Sequence, residues 1–222
     1  MDNGSRNKAS MVFSYLALRK TVGILGIAFP FVLSLGALIF FRTGIQGSIS
    51  GYYHTGMRDV FVGILCVIGF FLLSYRGHGC LDDIVGDLAC IFAVGVALFP
   101  TNPECVTEGG TRIIGHLHQV FATLFFLTLI CFSLLLFTKT HKHRTPTRRK
   151  KQRNKVYKIC GCTMFVCILL IGILSLFPDD VKSSLKPIKP VYWLEAFAVF
   201  AFGVSWFTKG EAILKDQVQG AE

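Results

Sequence analysis

Long apolar runs, more than any other feature, limit what this chain can fold into. Six windows are almost free of charge: 21–41, 60–75, 84–99, 113–138, 159–177 and 191–207. A helix that crosses a bilayer needs roughly 20 apolar residues at about 1.5 Å per residue. Barrel strands would instead alternate every second residue, and these runs do not. The expected fold is therefore all-α, a polytopic bundle of six transmembrane helices. The second, third and sixth windows are short, so they are expected to extend into their polar flanks, thin the bilayer or pack inside the bundle. Backward extension of the second would turn "YYHTGMRD" into its first turns. Hydrophobic residues make up 52% of the 222-residue chain and charged ones only 16%, so no segment outside the runs can bury a core of its own.

The organisation read from these runs is simple. Residues 1–20 form a cytoplasmic N-terminal segment, 21–207 the membrane domain and 208–222 a cytoplasmic tail. No small-x-small cleavage pattern follows the first run, so it is expected to be retained as a span and not removed as a signal peptide. Gly23, Gly26, Gly36, Gly63, Gly69, Gly86 and Gly95 are placed where helix backbones can approach closely.

Charge fixes the expected orientation. With six spans, both termini and two loops share one side, and that side holds 17 of the 23 Lys and Arg residues. The positive-inside rule then places both termini in the cytoplasm. Most of the excess lies in "KTHKHRTPTRRKKQRNKVYK", residues 139–158, which also explains much of the net charge of +10. This segment anchors topology, and Arg148, Arg149, Lys150 and Lys151 within it are candidate contacts for anionic lipid headgroups. Membrane lipids are thus the expected partners. Nucleic acid is not, because no folded reader accompanies the charge. Of the eight cysteines only Cys105 falls on the outer side, so no disulfide can staple the outer loops.

The candidate site lies on that outer side. "SISGYYHTGMRD", residues 48–59, is polar and aromatic between two apolar runs. The fourth run opens nearby with "GHLH" and the sixth with "VYWLEAFA", which bring His116, His118 and Glu195 to similar depth. A carboxylate within an apolar helix is costly unless it has a partner or a proton, so Glu195 is the residue most expected to act. Two histidines two residues apart point about 200° from one another on a helix, so only one of them can face the bundle. Arg58 and Asp59 read as an interfacial pair, and Tyr192, Trp193 and Trp206 as belt residues at the membrane surface. Ser50, His54, Asp59 and Glu195 are the candidate catalytic set. His54, His116 and Glu195 are candidate ligands for zinc with a position left open for water. The same residue types also suit a proton- or ion-coupled transport site. A Ser-His-acid hydrolase is a third reading, without a nucleophile-elbow motif to support it.

The stretches "SISGYYHTGMRDVFVG", "GDLACIFAVGVALFP", "GHLHQVFATLFF" and "WLEAFAVFAFGVSWFTKG" resemble uncharacterised six-span membrane proteins of bacterial type, over about residues 20 to 210. The span count is similar to a Frag1/DRAM-like architecture. The order of Ser50, His54, Asp87 and His116 is similar to the CREST superfamily of membrane hydrolases, which includes alkaline ceramidases and holds zinc on such residues. The chain departs from that family in having six spans and Glu195 in place of seven spans and a paired histidine. These resemblances imply a bacterial inner membrane and either metal-assisted lipid hydrolysis at an outward-facing site, or a transporter or non-enzymatic lipid-binding protein.

Overall fold

A computed structural model describes residues 3–75, 79–102, 109–139 and 147–214, and all their regular structure is helical. Six long helices correspond to the six apolar runs: α1 (Asn3–Phe41), α2 (Arg58–Leu73), α3 (Cys80–Leu98), α4 (Gly109–Cys131), α5 (Arg148–Ser175) and α7 (Pro190–Lys209). A short seventh, α6 (Asp179–Leu185), lies between α5 and α7 in sequence. Four of them are long and apolar enough to cross a membrane: α1 from Tyr15, α4 with its continuation to Leu136, α5 and α7. α2 has 16 residues, about 24 Å of helix, and α3 carries Asp82, Asp83 and Asp87.

The long helices close into a ring. α1 packs on α2 and α7, α2 on α3, α3 on α4, α4 on α5, and α5 on α7. Neighbours in the ring run antiparallel where close approaches fix their register: Gly23 lies against Phe207 and Gly26 against Gly203, while Gly69 faces Ala93 and Gly86 faces Leu72. The α1–α7 crossing is backbone against backbone, which only missing side chains permit.

Several boundaries differ from those expected from sequence. The N-terminal segment is not separate, because α1 already begins at Asn3. Half of the basic segment is helical too. Thr147 caps α5, its hydroxyl accepting from the Lys150 amide at 3.1 Å, so the cationic run forms the first turns of the fifth helix. The second run extends backward only to Arg58. Ser50–His54 is a separate 3₁₀ turn, broken from α2 by extended backbone at Thr55.

The ends of the ring differ in filling. At the end formed by the start of α5 and the close of α7, Tyr75, Phe132, Phe137 and Trp206 pack edge to face or tilted at centroid spacings of 5.1–6.1 Å. Tyr192 and Trp206 are therefore core residues, and only Trp193 of the three expected belt residues is exposed. Cations rest on this aromatic layer: Arg19 lies 5.3 Å from the Tyr75 ring centre and Lys209 lies 5.0 Å from that of Phe137. Asp82, buried here, pairs with Lys139, and Arg153 meets Glu211 at 3.1 Å. The opposite end of the ring holds a cavity.

Candidate functional site: a cavity beside the seventh helix

The cavity has a volume of about 830 Å³ and is bounded by α4, α5, α6, the start of α7 and the loop before the 3₁₀ turn. Its walls follow from the sequence of each element. Ala122 and Phe126 on α4, with Ile168 and Ile171 on α5, make one side apolar. Lys182 on α6, Lys186 at the start of the 3₁₀ turn Lys186–Ile188 and Lys189 between that turn and α7 make the other side basic. Glu195, His118 and Ser50 complete the polar lining.

Glu195 sits five residues inside α7 from Pro190, about 8 Å along the helix. Its Oε2 accepts the Ile49 amide proton at 2.6 Å. Ile49 is buried, so this bond satisfies a backbone donor that has no water. The same loop is held a second time by the Lys189 ammonium, which donates to the Ile45 carbonyl. α7 therefore fixes the loop that forms one lip of the cavity. Beneath it Tyr52 is fully buried, and burial raises its phenol above the usual range, an effect partly offset by the nearby Gln46 backbone.

The histidines serve one helix end. α3 stops at Leu98, and the carbonyls beyond it lack partners within the helix. His118 Nδ1 lies 2.6 Å from the Phe99 carbonyl and His54 Nε2 lies 2.7 Å from that of Thr101. Each ring nitrogen donates a proton there and so caps the chain as it leaves the helix. His118, 4% exposed, is the histidine of the "GHLH" pair that faces the bundle, and His116 is exposed. His116 thus points away from Glu195, and the expected zinc set of His54, His116 and Glu195 is not assembled. Among the described residues no three His, Cys, Asp or Glu side chains converge as metal ligands. The described residues do not fit a zinc centre.

The remaining sequence candidates divide. Ser50 lines the cavity with Glu195. Asp59 is exposed and takes no part in it. Arg58 does not pair with Asp59. Its guanidinium donates to the Tyr53 hydroxyl at 2.8 Å and lies over that ring. Asp87 is eleven residues, about 17 Å, from the α3 end that the histidines cap, so the set Ser50, His54, Asp87 and His116 is not one site. Of the expected lipid contacts, Arg148, Arg149 and Lys151 are exposed, whereas Lys150 turns inward to donate to the Phe137 carbonyl at 2.7 Å. Cys105 lies outside the described residues.

Sequence reasoning missed the three lysines of the cavity. Positions 182 and 186 are four apart, the spacing of one helix face, in the segment between the fifth and sixth apolar runs. Comparison with protein families, with curated proteins and with solved structures finds no match to this chain.

Proposed function

We propose that this chain is a six-span membrane protein, both termini cytoplasmic, that binds the polar end of a membrane amphiphile in an outward-facing cavity. The observation that carries the reading is the division of the cavity wall. Apolar side chains from α4 and α5 face lysines and a carboxylate from α6 and α7 across about 830 Å³. That volume falls within the range of small-ligand sites, roughly 300–1,000 Å³. An amphiphile satisfies both halves at once; a wholly polar solute leaves the apolar wall wet.

Binding or carriage is favoured over hydrolysis. A hydrolase needs an activated nucleophile with its base in reach, or a metal with an open position. Here the histidines are engaged with carbonyls at the end of α3. The two shorter helices support six spans by their place in the ring, where longer neighbours flank α2 and α3 on both sides.

Two experiments test this. Ala122→Trp fills the cavity from its apolar side, and lipid that co-purifies with the protein, counted by native mass spectrometry, is expected to fall to background. Undiminished lipid in a folded Ala122→Trp variant would refute the cavity as the site. For orientation, a membrane-impermeant thiol reagent applied outside intact cells should leave Cys80, which is exposed at the end of the bundle opposite the cavity, unmodified. Labelling of Cys80 from outside would reverse the topology.

A further inference from the structure

We infer that the ligand of this cavity is a single-chain lipid carrying a phosphate head, held by Lys182 and Lys186. The inference rests on the reading of the cavity as an amphiphile site and adds the charge and chain number of its occupant.

Charge comes first. Three lysines line the cavity, and Glu195 is the one acid among its described lining residues. Lys189 is already engaged with the Ile45 carbonyl. Lys182 has Asp179 at 3.6 Å, but that carboxylate is fully exposed, and such a pair exchanges readily with water. The Lys186 ammonium has no hydrogen bond or ion pair among the described residues and is exposed to the mouth. Two ammonium groups three to four residues apart on one helical face can reach the same tetrahedral oxyanion. Two ammonium groups beside an apolar wall match a phosphate headgroup, because charge-assisted hydrogen bonds to phosphate oxygens are the strong ones.

Depth comes second. Glu195 lies about 8 Å along α7 below Pro190, beyond the lysines at the mouth. A lipid whose phosphate rests on Lys182 and Lys186 therefore presents its glycerol portion, not its head, to Glu195. Glu195 has the Ile49 and Ser50 backbone amides beside it, and its two carboxyl oxygens offer acceptor sites beyond these two. The matching ligand group is a free hydroxyl. A two-chain glycerophospholipid has none at that depth, because both hydroxyls are esterified, whereas a monoacyl glycerol phosphate has one. The apolar wall of α4 and α5 then takes a single chain, in keeping with a cavity of about 830 Å³.

The test uses the full chain purified in a neutral detergent, with binding read by native mass spectrometry and by thermal stabilisation. The probes are oleoyl glycerol phosphate, oleoyl glycerol, dioleoyl phosphatidic acid and inorganic phosphate. Oleoyl glycerol phosphate is expected to bind about 30-fold more tightly than oleoyl glycerol, because each basic group near a headgroup contributes roughly a factor of five. The double variant Lys182→Gln with Lys186→Gln should erase that preference and leave oleoyl glycerol binding unchanged. Lys182→Arg with Lys186→Arg should keep it, which separates lost charge from lost fold. Equal affinity for the two oleoyl compounds, or a preference that survives the Gln variant, would overturn the phosphate assignment. Equal binding of phosphatidic acid would overturn the single chain, and displacement by inorganic phosphate alone would make this a free-anion site. Failure of Ala122→Trp to weaken any of these lipids would overturn the underlying cavity reading instead.

Discussion

The α1–α7 crossing gives the sharpest test of the packing that positions the cavity. Gly203 and Gly23 bring two backbones into contact there. A methyl carbon built on Gly203 would lie 2.5 Å from the Ile27 amide nitrogen and 2.8 Å from the Gly23 carbonyl oxygen. Carbon contacts become comfortable at about 3.5 Å, so Gly203→Ala requires the helices to part by about 1 Å. Both obstructing atoms are backbone and cannot rotate aside. Overpacking of this kind costs about 1–3 kcal/mol, and a gap of that width forfeits a quarter to a half of the attraction along the rest of the crossing. A loss of about 2 kcal/mol is expected, roughly 30-fold in the folded-to-unfolded ratio. Gly63→Ala is the control. A methyl there meets nothing within 4 Å, so the better helix propensity of Ala, worth up to about 1 kcal/mol, leaves it neutral or slightly stabilised. Unfolding of both variants in the same detergent decides the matter. If Gly203→Ala matches Gly63→Ala to within about 0.5 kcal/mol, close backbone packing does not hold α7 in place.

Three further outcomes are expected. Glu195→Gln keeps an acceptor for the Ile49 amide and should cost about 1 kcal/mol in thermal unfolding, whereas Glu195→Ala leaves that donor buried and should cost about 2–3 kcal/mol; equal losses would show that the bond is not made. Lys139→Ala removes one partner of Asp82, which is 1% exposed, and is expected to destabilise by about 1–3 kcal/mol, while no measurable loss in the same unfolding assay would show that this ion pair does not stabilise the ring. Tyr52→Phe should be neutral to within about 1 kcal/mol, because among the described residues the buried Tyr52 hydroxyl has no well-formed hydrogen bond; a larger loss measured by the same unfolding assay would mean that the hydroxyl has a partner.

The positions of the six long helices were legible because run length alone carries them. Every apolar window became a helix, and the glycines expected to allow close approach do so at Gly23, Gly26, Gly69 and Gly86. Gly63 does not, since the pattern records which residues are small and not which way they face. Helix ends were less legible. Thr147 starts α5 within a segment whose charge suggested a loop, because local capping chemistry outweighs solubility there. Trp206 illustrates the reverse error. Its place near a helix end suggested a membrane belt, but α7 turns it into the ring, where it packs on Tyr75 and Phe137.

The site was half legible, for a reason that the histidines make concrete. Sequence shows which residues are capable of chemistry, and His54, His118 and Glu195 qualify. It does not show what backbone each must satisfy. α3 ends with carbonyls in need of donors, and the two histidines at hand meet that need. Glu195 likewise answers a buried amide. Groups expected to act on a ligand are instead engaged in holding the cavity's rim, and the proposed recognition therefore falls to the side chains with the fewest obligations. Those are Lys182 and Lys186, on an element too short and too exposed to draw notice among six long helices. A search for function that weighs only buried polar groups passes over them, since in the proposed role their value lies in being exposed and loosely held at the mouth of an apolar space.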